Sequence, residues 1–461
     1  MKKIVSILAF ALVLSANNTT DNLSLDEALN ILQSQNLEIK AAKYDIEAAK
    51  EDQKATQGIN WGKLNFIQDV AYSNDAGNVF GFKLTSREAN FGDFGAEEFM
   101  TNSGKCQGGD NSACSDMYTK PPEDLNYPKA RAFFQSKIKY EVPLFTGFAL
   151  SSYNEIMASM TKMKTLDKDK IVNEKIYQLR KSYYDMALLE SSIKHLSKIL
   201  HNIDVLENMT QSMIDVGYAK HIDLLEVKAK KGNVERLLSQ MQFNEKLLYH
   251  YISFLLNTKV SHIQTPSSPI AMPLVDDKEV LKNNLDIKRA ETGLVIRKNM
   301  LKASEAAYYP TLGAFAEIAT ADDSFLGDAI DHKSYTLGAR LTWNLFNGGI
   351  DKAKIEKAKI DQLKIVSQVQ LAKRGITLQL AKIRTEIQSL DAEIASLEKE
   401  LTLADAIYAN YEGRYKEKLV SMSDVIIKQS QQIEKILKLQ IAKNKRNEKI
   451  FALEKLANGE K

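Results

Sequence analysis

Cys106 and Cys114 are the only two cysteines in 461 residues, and they lie eight apart in a segment rich in Gly, Asn, Asp and Ser. In an exported chain such a pair reads as one local disulfide pinning a loop. Zinc is the poorer reading, because no histidine lies nearby and two thiolates rarely make a site alone. The six histidines, His195, His201, His221, His250, His262 and His332, form no i,i+4 pair and no metal spacing. No P-loop, no GxGxxG opening a helix and no nucleophile elbow occurs, and Tyr183, Tyr184 and the methionines suit helix packing better than a cofactor box. No catalytic, cofactor or metal residues are therefore expected. Two carboxylates stand out by position. Asp223, and Asp424 three residues after Ser421, lie where helical patterns begin, and acidic residues and serines there cap free N–H groups and complement the helix dipole. Tyr415 continues a helical seam through Tyr408 and Tyr411, for which packing is sufficient reason. With 62 basic and 59 acidic residues the formal net charge is +3, which gives no basic face for nucleic acid.

These residues need elements to position them. Met1-Lys2-Lys3, an apolar run from Ile4 to Leu14, and Ser15-Ala16 read as a secretory signal peptide over residues 1–16. Its removal takes Lys2 and Lys3 and lowers the net charge from +3 to +1. No cysteine follows to accept a lipid anchor. No later stretch of about 18 mostly apolar residues occurs, so any membrane crossing must use strands. Eight prolines and 21 glycines, clustered at a few places, leave long uninterrupted helices.

The chain repeats itself. Asn36-Leu37-Glu38-Ile39-Lys40 recurs as Asn284-Leu285-Asp286-Ile287-Lys288, an offset of 248, and Leu144-Phe145-Thr146-Gly147 recurs as Leu345-Phe346-Asn347-Gly348, an offset of 201. The second offset holds onward, Asp223 matching Asp424 and Asn257 matching Asn458. The difference of 47 residues is an insertion in the first copy, around the cysteines. We read a first repeat over 17–257 with a long surface loop at 74–131, a connector over 258–277 carrying Pro266, Pro269 and Pro273, and a second repeat over 278–461.

Each copy opens with a helical pattern, 24–57 and 276–306, the first begun by the capping-box spacing of Ser24 and Glu27. Strands follow at about 63–73 and 134–144, and at 311–320 and 335–345. In the 134–144 strand Phe134, Ile138, Tyr140, Val142 and Leu144 alternate with Gln135, Lys137, Lys139 and Glu141. In the 335–345 strand Tyr335, Leu337, Leu341, Trp343 and Leu345 alternate with Thr336, Arg340, Thr342 and Asn344. Eleven residues with one apolar side suit a tilted membrane strand. After Gly147 and Gly348 come very long helices. In the second, Leu380, Ile383, Ile387, Leu390, Ile394, Leu397, Leu401, Ala404, Tyr408, Tyr411 and Tyr415 keep a 3,4 spacing, a heptad seam. Turns at Gly217-Tyr218-Ala219-Lys220 and Lys418-Leu419-Val420-Ser421 lead into returning helices over 222–257 and 422–457. The outgoing helix measures about 105 Å and the returning one about 54 Å. Opening and returning helices stacked end to end therefore match the long one.

Four membrane-length strands cannot close a barrel, whose smallest examples have eight. Two chains would supply eight strands around a filled lumen, and three would supply twelve around a water-filled passage. The chain resembles the TolC-like outer-membrane channel proteins of efflux and type I secretion systems. The resemblance rests on the repeat, on Tyr309-Pro310-Thr311-Leu312 before a strand, and on the junctions Val142-Pro143-Leu144-Phe145-Thr146-Gly147 and Trp343-Asn344-Leu345-Phe346-Asn347-Gly348. It rests also on the turn segments Val216-Gly217…Asp223-Leu224-Leu225 and Tyr415…Leu419-Val420-Ser421…Asp424-Val425. It implies a mixed α+β membrane protein in which long antiparallel helical hairpins form a trimeric α-barrel, and four strands per protomer join a 12-stranded transmembrane β-barrel. It implies no catalysis, a homotrimer in outer-membrane lipid, a periplasmic adaptor (membrane fusion protein), and an inner-membrane pump of RND or ABC type. The other reading of the same helices is a periplasmic coiled-coil scaffold or adaptor without its own pore.

The resemblance also implies a gate at the turns, the tunnel end farthest from the membrane. Asp223 falls at an acidic gate position, Tyr415 at the tyrosine that contacts it, and Asp424 at an inner carboxylate ring, with Lys220 and Lys418 in the turns themselves. Three copies of one carboxylate in a narrow pore would favour cations. This sequence departs from the family pattern at Lys418, a usual glycine, at Val420, where an arginine links the tips, and at Ile427, a second ring carboxylate.

Overall fold

The computed structural model describes residues 22–266 and 270–458. The proposed signal peptide, residues 1–16, and Pro269 of the connector lie outside the described residues. The first half of the chain forms α1 (Leu25–Gln35), α2 (Leu37–Gly58), β1 (Lys63–Ser73), α3 (Ala76–Thr85), α4 (Ala96–Gln107), α5 (Asn111–Thr119), α6 (Glu123–Asn126), β2 (Arg131–Phe145), α7 (Ala149–Asp215) and α8 (His221–Leu256). The second half forms α9 (Asp277–Asn283), α10 (Leu285–Glu305), β3 (Thr311–Asp322), β4 (Lys333–Thr342), α11 (Ile350–Lys416) and α12 (Met422–Ala457). The described residues divide into one compact unit of 22–49, 159–266, 270–295 and 363–458 and another of 50–158 and 296–362.

In the helical unit the opening helix of each half is two helices. The break falls at the repeated asparagine, and its cause is local. Asn36 has ψ 128°, outside the helical region, so that its side chain can cap the next helix: Oδ1 accepts the N–H groups of Glu38 and Ile39 at 3.0 and 3.1 Å. Its Nδ2 donates to Leu255 O at 2.8 Å, fastening the junction to the end of α8. Asn284 does the same, capping Asp286 and Ile287 and donating to Leu456 O at 3.0 Å. Around these joints two cores form. Leu32, Ile39, Leu179, Tyr183, Met186, Ile252 and Leu255 close the first, and Val280, Ile287, Ile376, Leu380, Ile383, Ile450 and Leu453 the second. The heptad seam of α11 is buried at Leu380, Ile383, Ile387, Leu397, Tyr408 and Tyr415 and half-buried between.

The other unit holds a four-stranded antiparallel sheet in the order β1-β2-β3-β4. Registers Phe66↔Ile138, Ile138↔Ile318 and Ile318↔Tyr335 place like residues side by side. Because strand side chains alternate between faces, these registers sort the sheet into two surfaces. Leu64, Phe66, Val70, Tyr72, Ile138, Tyr140, Ile318, Tyr335, Leu337 and Leu341 share one, all exposed. Asn65, Asp69, Lys137, Lys139, Glu141, Glu317, Thr336 and Arg340 share the other, where Lys137 pairs with Asp69 at 3.0 Å and Lys139 with Glu141 at 2.9 Å. Among the described residues β1 and β4 each have a single neighbour, so both outer edges carry unpaired backbone groups. β4 stops at Thr342, short of the expected 345, because β3 begins opposite it at Thr311 after Pro310, which has no N–H to continue the ladder. Trp343 instead donates from Nε1 to Tyr308 O at 3.3 Å.

The segment 74–131, expected as a surface loop, is a small helical insert. Asp75 and Asp110 supply the N-caps of α3 and α5. Aromatic contacts replace a large core: Phe82 stacks on Phe133 with centroids 4.3 Å apart, and Phe80 meets Phe94 edge-on at 5.1 Å. Among the described residues no helix is long and apolar enough to cross a membrane.

Candidate functional site

The two turns join the ends of α7 and α11 to α8 and α12, and all four helix ends pack on one cluster: Leu206, Val227, Tyr415, Met422 and Val425 are buried in it, with Val420 at its margin. Gly217 leaves α7 in the left-handed conformation, φ 77°, with its N–H bonded to Ile214 O at 2.9 Å and that of Tyr218 to Met213 O at 2.7 Å. Lys418, 201 residues later, adopts the same conformation, φ 64°, and the same bonds, to Tyr415 O and, through Leu419, to Arg414 O, both at 2.9 Å. A side chain in that region costs about 1–2 kcal/mol. At Lys418 the ammonium lies 3.2 Å from the centroid of the Tyr218 ring, a cation–π contact that links the two turns.

Asp223 and Asp424 hold equivalent capping positions. Asp424 Oδ2 accepts Ser421 N–H at 3.2 Å and Ser421 Oγ–H at 2.6 Å, while Ser421 Oγ accepts Asp424 N–H at 3.2 Å. The Ser421 hydroxyl and then its backbone N–H hold the Asp424 carboxyl below the usual carboxylate range. Asp223 Oδ2 accepts Lys220 N–H at 2.9 Å. Lys220, at the cap position of α8, has no side-chain acceptor to return that bond. Both carboxylates are fixed at the helix starts by these bonds, Asp424 exposed and Asp223 half-buried.

Tyr415 is buried, and its hydroxyl meets Thr210 Oγ1 at 3.4 Å rather than Asp223. Thr210 Oγ1–H already donates to Leu206 O at 2.8 Å, so the tyrosine hydroxyl is the donor. Burial pushes the Tyr415 phenol up, and the charge of Asp223 adds to this. About two turns earlier on α11, Tyr408 Oη accepts Gln429 Nε2–H at 3.3 Å, both side chains buried. Burial, with the charge of Glu412, pushes Tyr408 up to about 12. Ser423 Oγ to Glu226 Oε2 at 2.5 Å and Lys230 Nζ to Ser430 Oγ at 2.6 Å tie α8 to α12. Lys231 bridges Asp204 and Glu207 at 2.9 and 3.0 Å, tying α8 to α7.

The structure thus gathers Asp223, Tyr415, Asp424, Lys220 and Lys418 at two adjoining turns, with caps and packing holding each. Thr210, Tyr218 and Gln429 were not singled out by sequence. Gln429 had a signal, since it interrupts the four-residue spacing of Val425 and Ile433 with a polar group. Exposed Val216, Ile222, Leu225, Leu419 and Ile427 complete the surface. Away from the turns, Cys106 and Cys114 form a disulfide joining α4 to α5. The hydroxyl–carboxylate pairs at the turns are engaged structurally, Ser421 with Asp424 in a helix cap and Ser423 with Glu226 between α8 and α12.

Comparison with known proteins gives this arrangement a setting. Residues 278–458 match the family model described as outer membrane efflux protein. Nodulation protein T of Rhizobium leguminosarum bv. viciae is 20% identical over 251 residues, 51% of this chain and 52% of that protein. The chain thus spans about half the length of the curated relative it matches. Among solved structures, CusC superposes with a TM-score of 0.77 at 13% identity, covering 95% of this chain and 92% of that one. The outer membrane protein VceC of Vibrio cholerae gives 0.75 at 13% identity, covering 94% and 96%. The Campylobacter jejuni CmeC outer membrane channel gives 0.75 at 11% identity, covering 94% and 85%. At these identities the solved structures establish the fold.

Proposed function

We propose, from the match of residues 278–458 to the outer membrane efflux protein family model, that this chain is a subunit of a passive outer-membrane channel and not an enzyme. Three copies pool their four strands into one 12-stranded barrel, and their helices form a tunnel in the periplasm. The chain is exported by the signal peptide at 1–16, and each subunit is built from the tandem repeats 17–257 and 278–461 joined by the connector 258–277. The observation that carries this reading is the sheet: an apolar face set over a charged one, with both edges unpaired. A bilayer accepts the first face, water in a lumen the second, and neighbouring subunits the edges. A periplasmic adaptor and an inner-membrane pump of RND or ABC type supply cargo and energy.

The turns with Asp223, Tyr415, Asp424, Lys220 and Lys418 form the periplasmic gate in this reading. Opening must part Lys418 from Tyr218, which links one turn to the other. The test is single-channel recording in planar bilayers with the purified protein. A stable, ohmic conductance is expected, raised by Asp223→Ala combined with Tyr415→Phe. Release from membranes by carbonate wash, with no conductance, would leave the pore-less periplasmic scaffold as the better description.

A further inference from the structure

We propose that Glu88, Asp322 and His332 form a divalent transition-metal site, of the class that takes Zn²⁺, clasping the helical insert to the β3–β4 turn. One ligand atom from each lies within 4.8 Å of the others. His332 Nδ1 is sealed from solvent and makes no hydrogen bond, yet it stands 3.4 Å from Asp322 Oδ2. Two ligands bound at zinc distances around a tetrahedral ion lie about 3.3 Å apart. This pair therefore has the spacing of bound ligands without the geometry of a hydrogen bond. Glu88, whose side chain is 30% exposed, offers the third ligand atom within that 4.8 Å.

The surroundings orient the ligands. Asp322 accepts the backbone N–H of Asp323 on Oδ1 and that of Asp328 on Oδ2, both at 2.6 Å, as carboxylate ligands are commonly held from behind. Gly327 keeps the turn folded over Asp322, since a Cβ there would lie 2.3 Å from Oδ2. Arg131 pairs with Glu88 and opposes a cation there. With the imidazole bound as a neutral ligand, the two carboxylates exceed the paired guanidinium by one negative charge to meet the cation. An imidazole beside carboxylates favours zinc-like ions over Ca²⁺ and Mg²⁺, which prefer all-oxygen shells. The residues come from both halves of the chain, so an ion here would tie the insert to the end of the sheet. This inference does not depend on the channel reading.

The test is equilibrium dialysis of the full-length, chelator-stripped protein in detergent against radioactive Zn²⁺. One equivalent per chain is expected, retained in excess Mg²⁺ and Ca²⁺ and unaffected by His195→Ala. His332→Gln should weaken it by about 10-fold or more. Arg131→Gln should tighten it, because a like charge is removed. Asp322→Asn also disturbs the turn, so the decision rests on the other two variants, each shown by circular dichroism to be folded. Zinc X-ray absorption should show a nitrogen and oxygen shell with a single imidazole. No stoichiometric site, or one that His332→Gln leaves unchanged, overturns the proposal.

Discussion

Placing a lysine at Ile318 separates a lipid-facing sheet from an ordinary exposed one. Ile318 is central in β3, beside Ile138 and Tyr335 in register, and 62% exposed in the protomer. If that face met water, Ile318→Lys would change stability by no more than about 0.5 kcal/mol, as surface substitutions do. If it faces the bilayer midplane, the cost is about 2–4 kcal/mol per chain, or roughly 30- to 700-fold in the folded ratio at about 1.4 kcal/mol per decade. Thr336→Lys is the matched control, because Thr336 lies on the charged face directly opposite Glu317, where a lysine gains a cross-strand partner. The assay is the denaturant midpoint of the protein reconstituted in lipid, together with its yield in outer membranes. Ile318→Lys should lose both and Thr336→Lys neither. Equal effects from the two, or a neutral Ile318→Lys, would refute the assignment of the faces.

Asn36→Leu strands the Leu255 carbonyl and two helix N–H groups, a loss of about 1–3 kcal/mol measurable by denaturant unfolding. Asn284→Leu should cost a similar amount, and the double variant the sum, since the two share no partner. Tyr415→Phe should cost only about 0.5–1.5 kcal/mol, because Thr210 keeps its bond to Leu206 O. Calorimetry showing a much larger loss would mean that the hydroxyl has another partner. The Asp424 carboxyl titrates below its unfolded value, so its contribution is full above about pH 4 and is lost as pH falls through the lower folded value. Pepsin cleavage of the 417–421 turn should accelerate over that fall, and a flat rate would contradict the cap.

Where a pattern was dictated by burial on one side, it could be read before any coordinates: α12 and the seam of α11 follow their periodicities closely, while β1, which alternates less cleanly, still keeps the range Lys63–Ser73. The breaks at Asn36 and Asn284 were hidden because a single residue with ψ near 128° does not disturb a helical spacing. The repeated Asn-Leu-acid-Ile-Lys motif nevertheless marked both places, and its conformational meaning emerged only with the bond to the returning helix. The insert could not be read as helical because its short helices rest on caps and aromatic pairs rather than an apolar stripe. The turn residues were legible as positions but not as partners. Nothing in the spacing joins Tyr415 to Thr210 or Lys418 to Tyr218, since these contacts cross between segments about 200 residues apart and depend on how four helix ends converge.

The central claim is that four strands per chain are completed by two further copies. Native mass spectrometry of the protein extracted from outer membranes tests this most directly. A single species of three chains is predicted. One chain, two chains, or a mixture without a dominant trimer would contradict it.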